Sequence, residues 1–404
     1  MYIPRALEPV VLRASEQFAV VMVTGPRQVG KTTMLEKLSA NNRKYVSLDS
    51  PMIRELAKSD PELFLQRYAP PVLIDEIQYA PELLPFIKIH VDTHQQKGAF
   101  WLTGSQMFHM MKNVSESLAG RVAVLQMHGL SHAEITGVQS MPFTTDATAL
   151  MNRLRTRRRQ DLVAVYERIF KGAQPAAYAG DFDRDIYYDS YVGTYLQRDI
   201  MDLAQVGDEL AFLRFLSACA ARTSQMVNYA DLAKDVGISA PTAKQWLSML
   251  VSTGIIVLVE PYFNNTLKRM IKAPNMYFMD TGLCAYLTRW DSAATLEVSA
   301  MSGAFFETYA VSEIIKSFLN EGKRPPVFYY RDTDGKEIDL LMEQNNTLYP
   351  IEIKKSANPG REAARHFVVL EKTRKQVGAG GVICMASDLL PMDSKNSYIP
   401  VWLI

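Results

Sequence analysis

Short runs of consecutive apolar residues, each closed by a polar or acidic position, set the rhythm of the chain from Phe18 to Leu125. Ala19–Val23 stops at Thr24-Gly25, Val72–Ile74 at Asp75-Glu76 and Ala99–Leu102 at Thr103-Gly104, while Val122–Leu125 forms a further run and the mixed stretch Lys44–Leu48 reads as a short strand ending in Asp49. Apolar runs of this length without alternation are the pattern of strands buried on both faces, as in parallel sheets covered by helices. The stretches between them have helical spacing. Leu7, Val10, Val11 and Leu12 lie on or near one face of a lead-in helix, and helices are predicted from Thr33 to Ala40 and around Pro61–Arg67. Strands alternating with helices predict an α/β fold with a parallel sheet over residues 1–145.

The pattern then changes. Residues 146–222 read as a helical lid or linker, in which Tyr187–Tyr191 and Thr194–Asp199 sit on an amphipathic helix and Arg198-Asp199 reads as a structural ion pair. Within it Met151–Arg159 concentrates five arginines, the pattern of a solvated helix face. Over 223–290, Tyr229–Val236 and Ala240–Thr253 predict two helices around a Gly237-Ile-Ser239 turn, with Ser239 as a cap. Gly254 closes the second helix, and Ile255–Val259 and Met276–Met279 predict paired strands. This stretch resembles a winged-helix domain, whose second helix commonly enters the DNA major groove. Here that helix offers only Lys244, with Trp246, Leu247, Met249 and Leu250 suited to packing, so packing or protein contact is the larger expectation. The loop residues Lys268, Arg269 and Lys272 suit phosphates.

Candidate chemistry enters first at Gly25-Pro26-Arg27-Gln28-Val29-Gly30-Lys31-Thr32, followed by Thr33, which fits the G-x-x-x-x-G-K-[ST] phosphate loop at every fixed position. Glycines let several N–H groups converge on phosphate oxygens, and the helix that follows adds its positive end. Lys31 would reach the β- and γ-phosphates of ATP, and Thr32 would ligate Mg2+. Asp75, at the end of a buried strand, would hold the ion through water, and Glu76 would polarise the attacking water. Thr103, Ser105 and Gln106 are candidates to touch the γ-phosphate, with a plain polar turn as the equal alternative. Arg121 reads either as an arginine finger, in cis or in trans, or as a surface arginine.

Taken together, GPRQVGKTT, VLIDEIQ, WLTGSQ, LAGRV and LSHAEI resemble ATP-binding proteins of the AAA type related to the archaeal ATPase group. In bacterial members an AAA module precedes a C-terminal domain of unknown function with a nuclease-like core. The resemblance covers most of the first 140 residues. It implies Lys31 and Thr32 as phosphate-loop residues and Asp75 and Glu76 as the magnesium and water carboxylates. Gln106 follows Gly104-Ser105, where the common AAA pattern has an asparagine at the strand end. Many such modules form rings in which a neighbour's arginine completes the site, so a homo-oligomer stays open.

A second constellation lies in residues 291–404. Glu307 falls near the start of a helix, Asp339 on a strand, and Glu352 and Lys354 two apart on the next strand, where they share a face. Asp339 and Glu352 could hold magnesium on a phosphodiester, with Glu307 as a further oxygen ligand and Lys354 stabilising charge. This resembles the PD-(D/E)xK nuclease core, a restriction-endonuclease-like α/β fold. Alternating charge on paired strands, or a nuclease fold kept as an inactive scaffold, would look the same.

Composition narrows the partners only slightly. A net charge of +1 argues against a wholesale polyanion binder, and three widely spaced cysteines read as buried reduced thiols. With no apolar run long enough to cross a bilayer, the expectation is a cytoplasmic protein with no membrane partner. The chain is therefore expected to be an Mg2+-dependent ATPase whose nucleotide state controls a winged-helix and nuclease-like half, with DNA as one partner. The alternative is a nucleotide-gated switch in which that half binds a protein and cuts nothing.

Overall fold

The computed structural model describes residues 2–39, 42–104, 117–196, 208–262, 273–332 and 335–404. The apolar runs become five parallel strands, β1 (Val20–Thr24), β2 (Lys44–Ser47), β3 (Val72–Asp75), β4 (Phe100–Gly104) and β5 (Val122–Gln126), in the order β2-β3-β4-β1-β5. β1, β3 and β4 are buried at every position, because hydrophobic layers cover both faces. On one face Val21, Val23, Leu73 and Trp101 pack with Val10 and Val11 of helix Glu8–Gln17 and with Met34 and Leu35 of helix Lys31–Ser39. On the other, Val20, Met22, Ile74 and Leu102 pack against Phe64, Leu83, Leu84 and Ile87. Alternate residues of β1 thus serve two cores. All five strands run one way, and the register sets Thr24 beside Gly104 and Gln126, and Asp75 beside Ser47. That shared carboxyl edge is where such a sheet presents its binding crevice.

The next body is built from helix Glu209–Ala220, β6 (Gln225–Met226), helices Tyr229–Val236 and Ala240–Ser252, β7 (Ile256–Val259) and β8 (Asn275–Phe278). Its strands form an antiparallel sheet in the order β6-β8-β7. Asn228 and Ser239 cap the two short helices, and Gly237 between them takes the left-handed conformation. Trp246 is buried edge-on against Phe212 and Phe215 at ring separations of 5.3 and 5.5 Å, whereas Lys244 is exposed. The helix ends at Gly254 (φ +75), where a Cβ would lie 3.0 Å from His128 Cε1 and 3.2 Å from Pro26 Cδ. The turn therefore abuts the loop that follows β1. Lys268, Arg269 and Lys272, like Arg198 and Asp199, lie outside the described residues.

The arginine run corrects one expectation. Arg155, Arg158 and Arg159 are exposed, but Arg153 and Arg157 are buried. Arg153 donates to the carbonyls of Leu403 (3.0 Å) and Pro142 (2.5 Å), and Arg157 to those of Trp402 (3.3 Å) and Ile404. Val401–Ile404 is buried, and buried carbonyls must find donors. An arginine supplies several donors on a stem that tolerates an apolar setting. A partner about 250 positions away leaves no mark on local periodicity.

Helix Ser302–Leu319 is buried along nearly its whole length and touches both β8 and β11. The second sheet comprises β9 (Val327–Arg331), β10 (Glu337–Gln344), β11 (Thr347–Ile353), β12 (Gln376–Val377), β13 (Gly381–Cys384), β14 (Leu390–Pro391) and β15 (Ser397–Pro400). β9, β10 and β11 form an antiparallel meander, to which β13 and then β15 add in parallel. Cys219, Cys284 and Cys384 are buried and unbridged. Among the described residues no helix is long and apolar enough to cross a membrane.

Candidate functional site

The phosphate loop leaves β1 at Thr24 and enters the helix at Lys31. At Gly25 (φ +141) a Cβ would sit 1.9 Å from the Met127 carbonyl oxygen, so a side chain cannot pass there. Gly30 (φ +90) makes the second sharp turn. Lys31 is buried, and its Nζ donates to the carbonyls of Gly25 (3.0 Å) and Pro26 (2.7 Å). The ammonium thus lies folded against the loop it serves, within reach of anything bound in the cradle.

Across the sheet edge, Thr32 Oγ1 donates to Asp75 Oδ1 at 2.7 Å and Tyr45 Oη to Oδ2 at 3.3 Å. Thr103 Oγ1 also donates to Asp75 Oδ1 and accepts from the Glu76 N–H at 3.1 Å. Glu76 itself sits in the left-handed region (φ 57, ψ 48), and its carboxylate accepts from Gln78 Nε2. Thr32 and Asp75 are hard oxygen donors side by side at the loop, the donor set magnesium takes, so the residues fit that ion. Of the loop's other members, Val29 is buried, Gln28 and Thr33 are exposed, and Arg27 reaches Tyr79 Oη at 3.4 Å. Ser105 and Gln106 lie outside the described residues.

Arg121 is not brought to this site. It precedes β5, on the amino edge of the sheet, and pairs with Asp92 at 2.5 Å. One strand length, about 16 Å for five residues at ~3.3 Å each, separates it from the phosphate loop. This excludes an arginine finger in cis by position and leaves the trans role as a proposal.

The second constellation does converge. Lys354 Nζ pairs with Glu352 Oε1 (2.7 Å) and Asp339 Oδ2 (3.3 Å), and the Ile353 N–H donates to Asp339 Oδ2 (2.8 Å). Glu307 comes from the long helix and accepts from Tyr277 Oη at 2.8 Å and from Ser224. Burial, then the nearby Asp339 charge, pushes Glu307 up to about 8 and Glu352 up to about 7. Burial lowers the Lys354 pKa, but the two carboxylates outweigh it and leave it raised. A cleft of about 450 Å³, lined by Glu352, Lys354, Asn358, Glu362, Arg365 and His366, opens beside them. Among the described residues no group of three or more His, Cys, Asp or Glu is placed to hold a metal. Lys354 bridges the two carboxylates expected to hold magnesium, while Glu352 Oε2 is buried without a partner among the described residues. Tyr277 belongs to β8 of the preceding body and Ser224 to the turn just before β6, and no sequence signal ties them to Glu307.

Three family models match successive parts of the chain. An AAA domain covers residues 17–136, one domain of unknown function (DUF8612) covers 163–294 and another (DUF4143) covers 302–404. The N-terminal part is thus an AAA-type, P-loop ATPase-like domain. An uncharacterized protein of Mycobacterium tuberculosis is 27% identical over 350 residues, covering 86% of this chain and 73% of its own length. A Walker-type ATPase of Pyrococcus abyssi is similar at 15% identity and a TM-score of 0.40, covering 71% of this chain and 96% of that one. A signal transduction ATPase with a tetratricopeptide repeat sensor from Pyrococcus horikoshii is similar at 11% identity and a TM-score of 0.27, covering 79% and 47%. Neither structural likeness is close enough to transfer a function.

Proposed function

We propose that the chain is an Mg2+-dependent ATP hydrolase whose nucleotide state is passed to its C-terminal half. The observation that carries this is the hydrogen-bonded series Thr32, Asp75, Thr103 and Glu76 at the carboxyl edge, directly beside the phosphate loop. Bound magnesium would neutralise developing phosphate charge. Lys31 would leave the Gly25 and Pro26 carbonyls for phosphate oxygens, Thr32 and Asp75 would hold the ion, and Glu76 would orient and deprotonate the attacking water. Thr103 holds both acidic residues from behind, coupling the position of one to the other.

For the C-terminal half, the helix, strand and capping pattern of residues 209–278 supports the winged-helix reading. Asp339, Glu352 and Lys354 on adjacent strands, with Glu307 on the helix beside them, support a nuclease-like core, with DNA as the partner. A specific observation favours the second reading, a nucleotide-gated protein-binding switch on an inactive scaffold. Lys354 already pairs with Asp339 Oδ2 and Glu352 Oε1, an ion network that forms without a metal, although Glu352 Oε2 stays buried without a partner among the described residues.

The test is ATP turnover by the full chain with magnesium, alone and with single- or double-stranded DNA, beside Lys31→Ala. Turnover absent in the wild type, or retained in Lys31→Ala, defeats the ATPase proposal. Acceleration by DNA, with cleavage lost in Asp339→Ala, supports the nuclease-like reading. Turnover indifferent to DNA, with no cleavage, supports the switch.

A further inference from the structure

Arg5 lies outside every motif, yet its side chain is 4% exposed and all of its hydrogen bonds go to the nucleotide end of the molecule. Nη1 donates to the Val29 carbonyl at 2.6 Å, Nη2 to the His128 carbonyl at 2.7 Å, and Nε to Glu134 Oε1 at 2.8 Å. Glu134 is itself fixed. Its Oε1 also accepts the Ala6 N–H (2.9 Å), and its Oε2 accepts the Ser131 N–H (2.7 Å) and hydroxyl (2.9 Å). Burial would raise the Glu134 pKa, but Arg5 and these N–H groups outweigh it and hold it low. The guanidinium is therefore clamped by its carboxylate and aimed at two carbonyls.

One of those carbonyls matters for chemistry. The Val29 C=O and the Gly30 N–H belong to a single planar trans peptide, so they point in opposite directions. Holding the carbonyl on the back of the loop turns the Gly30 N–H outward, into the cradle where backbone donors meet phosphate. Gly30 has no Cβ and sits at φ +90, a residue whose peptide would otherwise rotate freely. We infer that Arg5 is a positioning residue for phosphate binding, fixing the Val29-Gly30 peptide so that its N–H donates to the nucleotide. The inference rests on the phosphate loop binding ATP as proposed above.

The experiment compares wild type, Arg5→Gln and Arg5→Lys as full chains, measuring the Kd for ATP by calorimetry, kcat and KM for turnover, and the melting temperature. Arg5→Gln is expected to raise Kd and KM about 10-fold or more, since a hydrogen bond to a charged group is lost, while kcat per bound nucleotide changes less. Arg5→Lys, able to reach one carbonyl, recovers part of the loss. A merely structural role would lower the melting temperature and the active fraction but leave Kd and KM at wild-type values, and that result overturns the inference. If Arg5→Gln does not fold, Arg5→Lys decides alone, and a KM within two-fold of wild type counts against it. A wild type that binds no ATP is a different failure, that of the nucleotide-site reading itself.

Discussion

The nucleotide site and the C-terminal acidic cluster are built from similar side chains by opposite means. At the first, a glycine-governed loop and two strand ends deliver Lys31, Thr32, Asp75 and Glu76 to one edge, Lys31 held by the loop's own carbonyls and the others by bonds to Asp75 or Thr103 in the sheet. At the second, Glu307 arrives on a helix, Asp339 and Glu352 on two strands, and the Tyr277 hydroxyl that holds Glu307 from another sheet. Lys31 donates to the backbone carbonyls of Gly25 and Pro26, bonds that it can exchange for phosphate. Lys354 is paired with both carboxylates, through Asp339 Oδ2 and Glu352 Oε1, which leaves Glu352 Oε2 buried without a partner among the described residues. The difference is between a lysine folded against its own loop and a lysine held between two carboxylates.

The sharpest way to break this contrast is to disable each site and read ATP turnover. Lys31→Ala and Glu76→Gln should each lower kcat by about 10²–10⁴-fold, the range a positioned base or charge supplies. Glu76→Gln should still bind ATP in a calorimetric titration. Asp339→Ala should leave turnover within about two-fold, its effects staying in the C-terminal sheet because distant sites act independently. A large loss of turnover in Asp339→Ala would mean that the two sites are one machine.

Thr103→Val comes next in size. It removes the bond to Asp75 and leaves the Glu76 N–H unpaired, about 1–3 kcal/mol in all, so kcat should fall about 10-fold or somewhat more with KM little changed. An unchanged kcat would show that Thr103 is only a polar strand end.

A smaller, pH-dependent effect separates the clusters without any substrate. Folding raises the Glu307 pKa to about 8 and the Glu352 pKa to about 7, from an unfolded value near 4.5. Between these limits the folded state holds protons that the unfolded chain has released, so stability falls as pH rises. The contribution is fully present below pH ~4.5 and is lost by about pH 8. Melting temperature should therefore drop between pH 5 and 8, and Glu307→Gln should flatten the slope. A slope unaltered by Glu307→Gln would show that the carboxyl is not protonated in the fold.

These differences also explain what could be read in the chain. The parallel strands were legible because burial on both faces leaves unbroken apolar runs, and the phosphate loop because its spacing is local and sterically enforced at Gly25 and Gly30. Asp339, Glu352 and Lys354 were legible as strand neighbours, since residues two apart share a face. Arg5, Tyr277, Arg153 and Arg157 were not, since each meets partners brought close only by tertiary folding. For the same reason the sequence left Arg121 open between finger and surface arginine: only the fold sets it at the edge of the sheet away from the loop.

The smallest predicted effect falls on the surface that joins the two regions. Were helix Ala240–Ser252 a reader of DNA, Lys244 would contact a phosphate, and its removal would weaken binding at all sequences and reduce the salt slope by about 1. One face of the helix is committed to packing. Trp246, Leu247 and Leu250 are buried, and the turn at Gly254 presses on Pro26 of the phosphate loop and on His128. Lys244→Ala should therefore leave DNA affinity, its salt dependence and ATP turnover unchanged, and alter stability by less than about 0.5 kcal/mol. Gly254→Ala, which strains a left-handed turn and crowds Pro26, should disturb nucleotide binding although it carries no charge. Fluorescence anisotropy on labelled duplex DNA across a salt series, beside ATP titrations of both variants, measures the two. Weaker DNA binding in Lys244→Ala with normal ATP binding in Gly254→Ala would assign the helix to nucleic acid. The opposite result makes it a strut between the C-terminal half and the nucleotide.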